Sequence, residues 1–252
     1  MKIKVRYLSE DQIEKEAELL LAEYAETAGG PIRLPVPVED ITTYHLALRL
    51  GFADLHETLR IPMLRDQPDI LGAIWIDKEA VLIDESLNPN RYPSMRGRYR
   101  FSVGHEIGHW RLHRAYVAND ANQASLFDAT SEPTVICRSS QAKEPIEWQA
   151  DLYSSCVLMP RAMVFEEWAE RFGSASNVIM TEDVRRTYVE SDHRSIARRR
   201  FSGLSHAELD DYVVAPFAEN FQVSKQAMRI RLEKLGLLNR DVPRQRHLTG
   251  LG

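Results

Sequence analysis

The stretch Arg100–His113, RFSVGHEIGHWRLH, sets three histidines and one glutamate within fourteen residues. Two readings compete for it: a metal-binding hydrolytic centre, or an amphipathic helix that is merely rich in histidine. On an α-helix, residues four apart share a face, about 6 Å apart along the axis. His105 and His109 then turn two imidazole nitrogens toward one point. Glu106 stands beside that point, placed to act as a general base without being a ligand. Val103, Ile107 and Trp110 form one apolar stripe, and the opposite face carries Phe101, Gly104, Gly108 and Leu112 around the histidines. A helix apolar on both sides is buried, and buried histidines need partners. Two imidazoles beside an open coordination position suit a single zinc ion, Zn2+.

His113 lies eight residues past His105, about 12 Å along the axis, too far to share the ion. It is expected at a helix C-terminus, where the dipole favours it. A further ligand has to come from elsewhere. In Glu147-Trp-Gln-Ala-Asp151 two carboxylates are again four apart. Glu147 would complete a His-His-Glu set, and Asp151 would accept the far N–H of a ligand histidine and fix its tautomer. The alternative is an acidic first turn that complements the helix dipole. His113, Tyr116 and Tyr153 stand as candidates for substrate or transition-state contacts.

The chain of 252 residues is long enough for one domain or two, and its 44% hydrophobic and 27% charged residues are those of an ordinary globular protein. A net charge of -5 argues against a globally basic nucleic-acid binder. Two cysteines, Cys137 and Cys156, allow no disulfide framework. The first residues lack the apolar core of a signal peptide, and no apolar run approaches the roughly 20 residues that cross a bilayer. A cytoplasmic protein with no membrane partner is expected.

Ser9 to Gln12 reads as a capping box opening a helix with Ile13, Ala17, Leu20, Leu21 and Tyr24 on one face, stopped at Gly29-Gly30. A second helix is expected around Ile41 to Leu48. Ile70 to Ile76 and Ala80 to Asp84 are β-prone runs flanking Asp77-Lys78-Glu79, a hairpin. Residues 116–146 read as a long surface loop. Helix resumes at Glu147 to Leu158, and a charged interval falls at His193 to Arg200.

Together, RFSVGHEIGHWRLH and EWQADLYSSCVLMP (Glu147 to Pro160) resemble the ImmA/IrrE family of zinc metallopeptidases. The stretch from Gly72 to Glu106 is similar to the family's hairpin and lead-in, and the likeness covers about residues 10–172. It implies an α+β, mainly helical fold: a zincin-like core with a small antiparallel sheet over 1–175, then a helical region over 176–252. It also implies zinc on His105, His109 and Glu147, with Glu106 as general base of an endopeptidase. The family's usual substrate is a helix-turn-helix repressor, cleaved to derepress stress-response or mobile-element genes. This chain departs from the family in Leu152-Tyr153-Ser154-Ser155 and in a longer span before Glu147. The edge strand near Gly72 to Ile76 would present itself to an extended substrate. A Cys137 thiolate could close the open zinc position and hold the enzyme latent, although an ordinary loop or semi-buried cysteine is the plainer reading; Cys156 reads as core.

Residues 212–238 read as helix, turn, helix, with Ser224 as cap, Met228, Leu232 and Leu235 buried, and Gly236 as stop. Lys225, Gln226, Arg229 and Arg231 would face outward and dock nucleic acid or protein. Only a small excess of Lys and Arg over Asp and Glu after residue 181 makes DNA the weaker partner. The alternative function is a DNA-binding regulator whose metal site is structural or vestigial.

Overall fold

A computed structural model describes residues 5–62, 69–116, 133–138, 144–173, 181, 183–184, 186–187 and 206–239. The chain divides into two compact units: Met1–Val164 with Ala218–Ser224, and Phe165–Phe217 with Lys225–Gly252. The fold is mainly helical α+β with one small sheet.

In the first unit, α1 (Glu10–Ala28) starts at a complete capping box, Ser9 Oγ accepting from the Gln12 N–H and Gln12 Oε1 from that of Ser9. It ends at Gly29, whose φ of 74° makes the left-handed stop. Its stripe Ile13, Ala17, Leu20 and Leu21 is buried. The second helix begins earlier than the sequence suggests, as α2 (Val38–Asp40) running on into a π-helical turn, Ile41–His45. It gives way to β1 (Arg49–Ala53), which was not anticipated, and to the short α3 (Leu55–Thr58). Then come β2 (Ile70–Trp75) and β3 (Ala80–Asp84), the expected hairpin.

The strand order is β1-β3-β2-β4, where β4 is Val135–Arg138. The sheet is mixed, which corrects the expectation of an antiparallel one. β2 pairs antiparallel with both neighbours, but β1 runs parallel to β3, with Arg49 opposite Ala80 and Ala53 opposite Asp84. The Arg49 N–H bonds Glu79 O at 2.8 Å and its guanidinium bonds Lys78 O at 2.9 Å, which fixes β1 beside the hairpin's second strand. On one face of the sheet Leu55, Ile70, Ala73 and Trp75 form a buried cluster.

Two helices carry the site. Helix α4 (Arg96–Gly108) continues as a π-helical turn over His109–His113. It packs on β2, on β3 and on α5 (Pro145–Leu158), while α1 packs on the last. Glycines make the α4–α5 crossing close. A Cβ on Gly108 would lie 3.0 Å from Ala150 Cα, and one on Gly104 would lie 2.5 Å from Ser154 Oγ.

The second unit holds most of α6 (Arg161–Phe172), α7 (His206–Phe221) and α8 (Lys225–Lys234). Trp168 stacks on Phe217 with ring centroids 5.4 Å apart and meets Phe172 at 4.5 Å. On α8, Met228 and Leu232 are buried and Gly236, with φ 74°, ends the segment, while Leu235 is only half-buried. The expected charged interval at 193–200 lies outside the described residues. Among the described residues no helix is long and apolar enough to cross a membrane.

Candidate metal centre

Helices α4 and α5 bring the two sequence motifs face to face. His105 Nε2 stands 2.9 Å from His109 Nε2 and 3.2 Å from Glu147 Oε2. Glu147 Oε1 lies 3.6 Å from His109 Nε2. All three side chains are buried.

The outer nitrogen of each ring is also engaged, and its partners dictate the tautomers. Asp151 Oδ1 can only accept, so His105 Nδ1–H donates to it at 2.8 Å, and in the neutral ring that a metal ligand must be, Nε2 is the lone pair. For His109 the reasoning starts farther away. Arg6 O can only accept, so the Gln149 amide nitrogen donates to it, at 3.1 Å, and Gln149 Oε1 faces His113 Nε2 at 3.3 Å. His113 therefore carries its proton on Nε2 and accepts at Nδ1 from His109 Nδ1–H, 3.1 Å away. That leaves His109 Nε2 bare as well. Two lone pairs and a carboxylate converge on one point, the donor set that suits a divalent cation such as zinc.

Cys137 joins them. It is buried on β4, and its sulfur and the ligand atoms of His105 and Glu147 all lie within 4.8 Å of one another, a buried group that could hold a metal ion. This corrects the reading of Cys137 as an ordinary loop cysteine. Residues 135–138 are strand because their backbone pairs with β2. Nothing in the local sequence signals that pairing. Residues 117–132 and 139–143 of the expected loop lie outside the described residues.

Glu106 is fully buried, and among the described residues neither of its carboxylate oxygens has a hydrogen-bond partner. Burial, with the Glu147 charge adding and His105 opposing, pushes its pKa up to about 8. Its carboxylate fits beneath β2 because residue 72 is glycine: a Cβ there would lie 2.5 Å from Oε1. Burial works against a second proton on His105, but Cys137, Asp151 and Glu147 together hold its pKa well above the ordinary value, so a cation bound at Nε2 would take that proton's place. His109 is driven well below it by burial, with His105 and His113 adding to the effect.

Other sequence-selected residues fall differently. His113 is a buried link in the His109 chain, its pKa pushed down to about 4 mainly by burial, so it is neutral and does not serve the helix dipole as a cation. Tyr153 is fully buried, with Arg111, Glu16 and Glu23 as its charged neighbours rather than the metal-ligating atoms, and burial raises its pKa. Tyr116 is exposed at the end of the same helical run. On α8, Lys225 and Gln226 are exposed and Arg229 is half-buried, but Arg231 is buried, which corrects its outward placement. Cys156 is buried, as expected of a core residue. Gly72 and Gln149 were not singled out by sequence, since each matters only through a partner brought from another element.

The chain thus has a mainly helical α+β fold with a buried histidine, cysteine and carboxylate group able to hold a metal ion. It matches no family model and no curated protein.

Proposed function

We propose that the chain is a zinc-dependent endopeptidase of the ImmA/IrrE kind. In this reading a zincin-like core works in the cytoplasm and cleaves one specific protein, a helix-turn-helix repressor, to derepress stress-response or mobile-element genes. Glu106 carries the reading. A site built only to hold structure has no use for a buried carboxylate left without donors beside its ligands. His105, His109 and Glu147 would hold the ion, which when bound supplies the Lewis acid for polarising a scissile carbonyl. The chain's own residues do the rest. Asp151 and the His113–Gln149 pair hold the imidazoles in their tautomers. With a cation bound, the burial that raises the Glu106 pKa would be opposed, and the ionised Glu106 would then accept a proton on its carboxylate and return it to the leaving amine.

One observation favours the second reading, a DNA-binding regulator with a structural metal site: a fourth protein ligand such as Cys137 closes a zinc site. Helix α8 weakens it. Arg231 is buried and Lys225 Nζ lies 3.4 Å from Asp211 Oδ2, so among the described residues this helix turns one of its expected cations inward and sets another beside a carboxylate.

The test is cleavage of a repressor encoded beside this chain's gene. Wild-type protein should cut it and lose that activity to a chelator. Glu106→Gln should keep its zinc and cut at least about a hundredfold more slowly. Undiminished cutting by a zinc-loaded Glu106→Gln protein would refute the assignment.

A further inference from the structure

Strand β4 lies where an extended substrate would have to lie. The sequence suggests that β2 offers a free edge, but β2 is an interior strand, bonded to β3 on one side and to β4 on the other. The β4 ladder is antiparallel, with Gly72 opposite Cys137, Ala73 opposite Ile136 and Ile74 opposite Val135. Thr134 extends it: its N–H donates to Ile74 O at 2.8 Å, and its hydroxyl oxygen accepts from the Ile76 N–H at 2.9 Å. A peptide bound along β2 would make the same ladder bonds, with a backbone carbonyl in place of the Thr134 hydroxyl at the Ile76 N–H.

The register aims Cys137 at the metal ligands. Residues directly opposite in an antiparallel ladder share a face of the sheet. Gly72 marks that face as the one over Glu106, so Cys137 points the same way. Its sulfur sits with His105 and Glu147 inside the 4.8 Å group. With β4 in place, Glu106 is 0% exposed and Glu147 5%, so no protein substrate reaches the carboxylate that is to act on it.

Resting on the peptidase reading above, we propose that β4 is an autoinhibitory strand. It pairs with β2 in place of substrate, and the Cys137 thiolate takes the fourth place around an ion held by His105, His109 and Glu147. The described conformation is thus a latent peptidase. Coordination would form one sulfur–metal bond, release the thiol proton to solvent and displace the water that otherwise fills the fourth place. β4 can leave without disturbing the rest of the sheet: it is four residues long, has β2 as its one ladder partner among the described residues, and its pairing is irregular between Ile70 and Gly72. A purely structural four-ligand site would close in the same way, but it would not keep Glu106 buried and unsatisfied within it.

Cobalt substitution of the full chain tests this without relying on turnover. Wild-type protein should take up one Co(II) and show the near-ultraviolet thiolate-to-cobalt charge-transfer band. Cys137→Ser should keep one Co(II), lose the band, and let added azide perturb the visible bands. Thr134→Pro removes two bonds of β4 and no ligand; it should weaken the band and raise hydrolysis of an unstructured fluorogenic peptide. Absence of the band in wild-type protein, or its survival in Cys137→Ser, would overturn the proposal and leave the His-His-Glu site standing. Failure of Cys137→Ser to bind cobalt would also overturn it, making Cys137 an obligatory structural ligand. Failure of wild-type protein to bind cobalt at all would remove the metal reading beneath both.

Discussion

At position 72 the absence of a side chain decides where Glu106 sits. Even a methyl group there would lie 2.5 Å from Oε1 and 3.2 Å from Cδ, closer than a fully buried carboxylate can yield without moving. Gly72→Ala should therefore leave zinc content unchanged, since Gly72 supplies no ligand and its Cβ would meet Glu106 first, while repressor cleavage falls about as far as in Glu106→Gln. Wild-type activity in that variant would show that Glu106 does not need its place under β2. The His109 chain makes a different prediction. His113→Phe or Gln149→Leu breaks the relay that keeps the His109 Nε2 lone pair inward, and should weaken zinc binding about 10–100-fold in chelator competition. Unchanged affinity in both variants would reduce His113 and Gln149 to packing. The residues legible in the sequence are those on one turn, His105, Glu106 and His109, together with the pair Glu147 and Asp151 at the same spacing. Gly72 and Gln149 were not legible, because each depends on a partner far along the chain, and for Cys137 the sequence raised the metal-facing role only as the lesser reading, since its strand pairing with β2 carries no local signal.

Between elements, the α4–α5 crossing sets the distance from the imidazoles to Glu147. Gly104 and Gly108 stand four apart on α4, opposite Ala150 and Ser154, four apart on α5, so two helices meet along a seam of small residues. The Ser154 hydroxyl donates to Phe101 O at 2.8 Å across that seam. On an exposed helix, Gly→Ala stabilises by up to about 1 kcal/mol. Gly108→Ala should do the opposite, because its Cβ meets Ala150 Cα at 3.0 Å and Ala150 O at 3.2 Å, backbone atoms that yield only by parting the helices. A loss of about 1–3 kcal/mol in urea unfolding is expected, with weakened zinc binding. Gly30→Ala, where nothing lies within 4 Å, serves as the control. A stabilised Gly108→Ala protein would mean that the crossing is slack and does not set the site. Helices α1, α4, α5 and α8 were readable from periodicity and punctuation, and the β2–β3 hairpin from its β-prone runs, whereas the four-residue α3 was not. β1 and β4 were not readable. RLGFA is five residues with a glycine at its centre, and VICR is four, so neither carries a periodic signal, and both are strands because a neighbour's backbone completes them.

For the molecule as a whole, the ion would be a tie between segments distant in sequence. His105 and His109 sit on one helical run, Glu147 on α5 and Cys137 on an edge strand. Separately, Arg111 grips both carboxylate oxygens of Glu23 on α1, at 2.9 and 3.2 Å. Helix α1 is thus tied to the end of the α4 run whether or not a metal is bound. An ion that binds only the folded chain stabilises it by mass action, about 2.7 kcal/mol at a hundredfold excess over Kd. For a protein of this size that is roughly a 5–10 °C rise in Tm. Chelation should reverse the rise and cost hydrogen-exchange protection first at the amides of β4 and α5. Glu106→Gln should keep the zinc-dependent shift, because Glu106 is not a ligand, and His105→Ala should lose it. Equal Tm values with zinc and with chelator would mean that the converging lone pairs of His105 and His109 hold no ion in solution, and the functional reading would fall with them.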